Sequence, residues 1–349
     1  MKQMQTLTWA DGPMTLEGAV SVEPMDEGWV RPWRVFYDRL RLYESALLTR
    51  ACFAAGIRLT LISDTSQLAV QVHTLPDQSQ TPDCTFDLLV DGQRHERQRL
   101  SANDLEQPRT LTFANLPAGS HHLELYLPQS TTVCLGPVQI DADATADTWR
   151  DTRPRWVVYG SSITQCSAAD GPSETWPAIV ANRLGLHLTC LGFGGQCHFD
   201  PMVGRTIGQL PADRISLCLG INTHGGTYNE RTFRAAVIGL IQLIRDRHPD
   251  VPMVCVSPIC SPPREDSPGG TGMTLQLMRT WIADAVDALR AHGDDRLAYA
   301  DGLSLFGPEF VHHMPDELHP DAEGCRVLAE QYLEQVMPRF NAAAATSTD

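Results

Sequence analysis

At 349 residues the chain is longer than a single hydrophobic core usually serves, so two domains are expected. A composition of 42% hydrophobic and 20% charged residues excludes a disordered or membrane-embedded chain, and 42 acidic against 27 basic residues give a formal charge of −15 that repels phosphate backbones and anionic lipid. Neither nucleic acid nor a membrane is expected as a partner: no run reaches transmembrane length, and the segment beginning Met1-Lys2-Gln3-Met4-Gln5 lacks the apolar core and cleavage pattern of a secretory signal. A cytoplasmic location is the corresponding expectation, with a homo-oligomer left open.

From about residue 15 to residue 142, short strand-like runs alternate with turn signals. Ile57 to Ile62, Leu68 to Val72, Phe86 to Val90 before Asp91-Gly92, Thr110 to Phe113 and His122 to Leu127 read as strands, and their spacing predicts an all-β, jelly-roll-like sandwich. Only Tyr43 to Ala54 has a helical stripe. The small, acidic stretch Asp141 to Asp147 has the composition of a linker, which sets the expected domains at 1–146 and 147–341.

Beyond that linker, strand and helix alternate. Trp156 to Tyr159, His187 to Leu191, Ile215 to Leu219, Val251 to Val256 and Leu297 to Ala300 read as strands. Thr175 to Leu184, Arg231 to Arg247, Leu275 to Ala291 and Asp321 to Met337 read as helices. This alternation predicts an α/β domain, a parallel sheet covered by helices on both faces in three layers. The tail, 342–349, is expected to be disordered.

Four short blocks carry the chemistry. Gly160-Ser161-Ser162-Ile163-Thr164, Gly192-Phe193-Gly194-Gly195 and Gly220-Ile221-Asn222 follow the first three of these strands, and Asp316-Glu317-Leu318-His319 precedes the closing helix. Sites in such a sheet collect at the carboxyl ends of its strands, so the fold is expected to gather the blocks at one edge. A serine hydroxyl is a weak nucleophile until a base accepts its proton, and histidine suits that task at neutral pH. Ser162 is therefore the expected nucleophile, His319 its base and Asp316 the group that fixes the imidazole tautomer. The N–H groups of Ser162 and Gly195 and the amide of Asn222 are the expected oxyanion donors. The G-x-S-x-G elbow is absent, which argues against the α/β-hydrolase fold.

On these residues the second domain resembles the SGNH hydrolases, also called GDSL esterases and lipases, over roughly residues 153–340. Gly160-Ser161-Ser162-Ile163 is similar to the G-D-S-[LI] motif and assigns the nucleophile to Ser162 rather than Ser161. Gly195 matches the glycine that ends the second block, Asn222 the asparagine of G-x-N-D, and Asp316 with His319 the D-x-x-H. Ser161 stands where the family has aspartate, Cys190 where the second block commonly has asparagine, and Thr223 where aspartate follows Asn222, which puts the hydrogen-bonded support of the nucleophile in question. The first domain looks like the jelly roll that precedes the hydrolase domain in certain carbohydrate esterases, without a residue-level motif. The resemblance implies a serine esterase that needs no metal or cofactor and removes acetyl or another short acyl group from a saccharide or small-molecule ester.

Other readings stand beside this one. A short-chain lipase or thioesterase uses the same residues, and a carbohydrate-binding protein with a silent hydrolase domain retains the fold without the activity. His312, His313, Asp316 and His319 have metal-binding side chains within eight residues, but Pro315 and Pro320 disfavour the helical register of a zinc motif. The long Pro258 to Met273 loop, with Trp176, His198, His224 and Tyr228, is the expected substrate wall. The ten cysteines contain no C-x-x-C pair and are read as reduced, mostly buried hydrophobes. For Cys197, close after Gly195 and next to His198, a reactive thiol stands beside that reading as an alternative.

Overall fold

The computed structural model describes residues 3–10, 12–75, 84–101 and 107–345, and the chain divides into two compact units. The first comprises Met1–Leu40, Leu48–Arg153 and Gly171–Ser173. Its strands are β1 (Met4–Leu7), β2 (Thr15–Glu17), β3 (Ser21–Pro24), β4 (Val30–Trp33), β5 (Arg58–Ser63), β6 (Gln67–Leu75), β7 (Cys84–Val90), β8 (Gln93–Leu100), β9 (Arg109–Ala114), β10 (His121–Tyr126), β11 (Thr132–Asp141) and β12 (Ala146–Asp147). One antiparallel sheet runs β3-β4-β11-β6-β9 with β1 paired to β11, and the other runs β12-β5-β10-β7-β8 with β2 paired to β5. Alternation explains the sandwich: Leu68, Val70 and Val72 of β6 point into one core with Phe86 and Leu88 of β7 and Leu123 and Leu125 of β10.

Two features of this unit differ from the sequence reading. β8 was not predicted, because Gln-Arg-His-Glu-Arg-Gln-Arg-Leu has no apolar face; it is recruited by pairing with β7 along Cys84↔Leu100 to Val90↔Gln93. The boundary expected after residue 146 falls inside β12, whose Ala146 and Asp147 pair with Ser63 and Ile62 of β5, so the first unit runs on to Arg153. The acidic stretch before it is a turn, with Ala144 N–H donating to Asp141 O at 3.1 Å and Thr145 N–H to Asp64 at 2.7 Å. Helix α1 (Ser45–Ala51) falls in the predicted helical stripe.

The second unit comprises Arg41–Leu47, Pro154–Asp170 and Glu174–Asp349. Its sheet is fully parallel in the order β14-β13-β15-β16-β17, formed by β13 (Arg155–Gly160), β14 (His187–Gly192), β15 (Arg214–Cys218), β16 (Met253–Val256) and β17 (Leu297–Ala300). Winding reverses at β13, and such a switch point opens a crevice at the carboxyl ends of the strands. Helices flank the sheet: α2 (Ser162–Gln165), α3 (Trp176–Leu184), α4 (Pro201–Gln209), α5 (Glu230–Arg245), α6 (Leu275–Ala291), α7 (Gly302–Leu305), α8 (Ala322–Gln335) and α9 (Met337–Ala345). Trp156, Val157, Val158 and Tyr159 of β13 are fully buried, and Ser216 of β15 accepts from Trp156 Nε1 at 2.9 Å and from the Tyr332 hydroxyl at 2.7 Å.

Helix α4 was not among the predicted helices: it is nine residues long and holds Gly204 and Gly208, residues of low helix propensity. Gly204 packs closely on α5: a Cβ there would come within 3.0 Å of Leu243 Cδ2. The tail expected from residue 342 is instead helical as far as Ala345, and 346–349 lie outside the described residues. Among the described residues no helix is long and apolar enough to cross a membrane.

Candidate active site

The nucleophile turn is built by its small residues. A Cβ on Gly160 would meet Thr164 Oγ1 at 2.1 Å, so only glycine lets β13 turn this sharply into α2. Ser161 is buried and caps α2, accepting from Ile163 N–H at 3.2 Å. Its hydroxyl thus does in this chain what an aspartate oxygen does at an N-cap. Ser162 is the first residue of the helix, so no intrahelical carbonyl reaches its N–H. Ser162 Oγ lies 2.8 Å from His319 Nε2, and His319 Nδ1 lies 2.6 Å from Asp316 Oδ2. Because a carboxylate only accepts, Nδ1 carries the proton and Nε2 faces the serine hydroxyl as acceptor.

The Asp316 to His319 turn is held from several sides. Asp316 Oδ1 accepts the N–H groups of His319 at 2.7 Å and Leu318 at 3.1 Å. Burial pushes the Asp316 carboxyl up, but the backbone and ring of His319 and the Leu318 N–H outweigh it and hold the group below its ordinary value. Glu317 adopts a left-handed conformation (φ 56°), costly for a side chain of its kind, and its carbonyl accepts from Ser261 Oγ at 2.7 Å. Ser261 in turn belongs to the loop after β16, where buried Arg279 grips Glu265 at 2.6 and 2.8 Å and the carbonyls of Pro258 and Ile259. Sequence reasoning missed Ser261, because nothing in its spacing signals a partner 56 residues away, and Glu265, because nothing marks it as the partner of Arg279.

The second and third blocks are tied to the first and to each other. The Cβ that Gly194 lacks would sit 3.7 Å from Ser162 Cβ, and Gly194 N–H donates to Gln165 Oε1 at 2.9 Å. Gly195 is exposed in a left-handed conformation (φ 71°). Asn222 Oδ1 accepts from Cys197 N–H at 2.9 Å, which leaves the NH₂ end of the amide for another acceptor. Thr223 is fully buried and its hydroxyl donates to Gly220 O at 2.6 Å, closing the turn that presents Asn222. Cys190 is buried beneath α2 with its sulfur 3.6 Å from Thr164 O.

The other expected site residues take varied places. Trp176 is 2% exposed, donates to Ile163 O at 2.8 Å and packs on Tyr332, so it braces α2, and it also lines a small apolar cavity together with Ile163. His198 is half-buried between Gly195 O at 3.0 Å and Thr227 Oγ1 at 2.7 Å, and Tyr228 donates to the His198 carbonyl at 2.8 Å while stacking on Phe199. These two residues therefore shape the loop behind Gly195. His224 Nε2 lies 3.1 Å from Ser267 O, pinning the third block to the long loop. Cys197 is buried and burial pushes its thiol far above the ordinary range, which overturns the reactive alternative. The rings of His312 and His313 lie 4.1 Å apart, tilted by 41°, and among the described residues they bring no three metal-ligating atoms together with His319, whose two nitrogens face Ser162 and Asp316.

An apolar cavity of about 40 Å³ adjoins these turns, lined by Ile163, Trp176, Ile221, Ile259, Leu305 and Leu318 but not by Ser162, Asn222 or His319 themselves. Three of these are the chain neighbours of Ser162, Asn222 and His319. One water occupies roughly 10–15 Å³ on the same measure, so the space suits only a short apolar group.

The chain matches the GDSL-like lipase/acylhydrolase family over residues 158–327 and the SsfX3 N-terminal domain family over residues 14–135. It is similar over both domains to the salicylyl-acyltransferase SsfX3 from a tetracycline biosynthetic pathway, with 32% identity, a TM-score of 0.88, and 96% of this chain and 98% of that one covered. A family two carbohydrate esterase from Cellvibrio japonicus shares the fold at 16% identity and a TM-score of 0.68, covering 98% of this chain and 99% of its own. An acetyl xylan esterase from the rumen bacterium Butyrivibrio proteoclasticus does so at 13% identity and a TM-score of 0.66, with the same coverages of 98% and 99%. A search of curated proteins gave no match. The chain thus belongs to the GDSL-like lipase/acylhydrolase family, in the two-domain form with an N-terminal β-sandwich.

Proposed function

We propose that the protein is a serine esterase in which Ser162 attacks the carbonyl of a short acyl ester, acetyl or similar in size, on a saccharide or other hydroxylated alcohol. The observation that carries this reading is the hydrogen-bonded chain from Ser162 through His319 to Asp316. His319 Nε2 takes the serine proton as the C–O bond forms, and Asp316 stabilises the resulting imidazolium. The tetrahedral oxyanion is held by the N–H groups of Ser162 and Gly195 and the Asn222 amide. Collapse expels the alcohol, which receives the proton from His319 and leaves an acyl-enzyme; water, deprotonated by the same imidazole, then releases the acid. The fold shared with carbohydrate esterases, an acetyl xylan esterase among them, supports a short acyl group and a saccharide alcohol.

A second reading keeps the acyl-enzyme and replaces water by the hydroxyl of an acceptor molecule. The 32% identity to a salicylyl-acyltransferase across both domains favours it. Turnover of p-nitrophenyl acetate, longer alkyl esters and aromatic esters, with product analysis in the presence of sugars and other polyhydroxylated acceptors, separates the two. Free acid from short esters at a rate indifferent to acceptor supports hydrolysis. Acylated acceptor forming in preference to free acid supports transfer, and no turnover of any activated ester by folded protein overturns both.

A further inference from the structure

Two cysteines distant in sequence meet beside the site. The sulfurs of Cys166 and Cys325 lie 2.7 Å apart, and both residues are buried, 3% and 2% exposed. Cys166 ends α2 in a left-handed conformation (φ 61°, ψ 51°), one helical turn beyond Ser162. Cys325 lies in the first turn of α8, whose capping residue Asp321 follows His319-Pro320. Both line a cleft of about 10 Å³ with Ser162, Ser167, Ala168 and His319. Ser167 and Ala168 are exposed, so only the turn that follows Cys166 separates the pair from solvent, and that turn must open to admit a reagent larger than water.

We propose that Cys166 and Cys325 are a redox pair that closes to a disulfide and ties the turn carrying Ser162 to the helix that follows His319. A disulfide holds its sulfurs about 2.05 Å apart, so closure needs a shift of under about 1 Å. The oxidant is a low-molecular-weight disulfide. The Cys166 sulfur, as thiolate, attacks one sulfur of that molecule and expels the first small thiol, leaving a mixed disulfide on Cys166. The Cys325 sulfur then gives up its proton, attacks the Cys166 sulfur and expels the second small thiol. Two protein thiols and one small disulfide become one protein disulfide and two small thiols, with two electrons passing to the oxidant. The order follows from the contact: the thiol of Cys166 beside it, together with burial, raises the pKa of Cys325 and keeps it protonated until the second step.

The link would brace both ends of the Ser162 to His319 hydrogen bond. It is independent of the ester chemistry proposed above, since neither sulfur takes part in it. The test treats the full chain with oxidised glutathione, then unfolds it in the presence of an alkylating reagent and maps its peptides by mass. Two of the ten thiols are expected to escape alkylation, in one linked pair of peptides containing Cys166 and Cys325, and all ten to be alkylated after reduction. The melting midpoint is expected to be higher in the oxidised than in the reduced protein, with that difference absent in Cys325→Ser. Ten alkylated thiols after oxidation, a different linked pair, or a Cys325→Ser protein that still loses two thiols would overturn the proposal. Should Cys325→Ser fail to fold, the thiol count and peptide map of the unaltered chain decide the matter alone.

Discussion

Ser161 and Ser162 are adjacent serines with separate tasks, and substitution divides them. Ser161 is buried and its hydroxyl caps α2, so Ser161→Ala is expected to lower stability by about 0.5–2 kcal/mol and to leave most of the turnover, measured by melting and by kcat on an activated ester. Equal loss of turnover in Ser161→Ala and Ser162→Ala would remove the distinction. Asn222 presents the NH₂ end of an amide whose oxygen is occupied by Cys197 N–H. Removing that donor should lower kcat by roughly 10²–10³ with little change in KM. A rise in KM alone would make Asn222 a substrate-binding residue. Asp316 supplies a pH signature: its carboxyl is held below its ordinary value of 3.8 in the folded protein, so its stabilising effect is complete above that value and is lost as pH falls through the lower folded value. The difference in melting midpoint between the unaltered chain and Asp316→Asn should therefore be constant above about pH 4 and shrink below it. A difference that vanished nearer neutrality would mean that the carboxylate is not held by His319 and Leu318.

At the scale of elements, the site depends on how closely α2 seats on the end of β14. A Cβ on Gly192 would fall 2.3 Å from Gln165 N and 2.6 Å from Thr164 C, both backbone atoms that cannot swing aside. Gly192→Ala is expected to cost about 1–3 kcal/mol or more and to lower kcat by displacing the Gly194-Gly195 loop, whereas unaltered melting and turnover would show that the contact yields freely. The positions of the four blocks were legible in the sequence because the first three join strand ends to small or polar residues and the fourth precedes the closing helix, local signals in each case. Gln165 was not, since its role is to accept the Gly194 N–H from another block, and Ser261 was not, since its partner Glu317 is distant in the chain. The packing of Trp176 was not legible, because an aromatic residue near a motif looks the same in sequence whether it faces solvent or, as here, packs on Tyr332. Helix α4 was hidden by its short length and its two glycines, of which Gly204 packs closely on α5.

For the whole molecule, the two periodicities of the sequence separated sandwich from parallel sheet correctly, and what they could not show was the pairing that carries β12 past the apparent linker. The competing metal chemistry can also be addressed at this scale, in the intact protein. With both His319 nitrogens engaged by Ser162 and Asp316, dialysis against a chelator should leave ester turnover unchanged, and His312→Ala should remain active. Loss on chelation with recovery on adding zinc would contradict the serine mechanism. The most direct measurement is rapid quenching of the enzyme during turnover of p-nitrophenyl acetate, followed by peptide mapping. The account predicts a burst of nitrophenol and an acetyl mass increment on the peptide containing Ser162, both absent in Ser162→Ala. Turnover without any acylated peptide, or an increment that persists in Ser162→Ala, would contradict it.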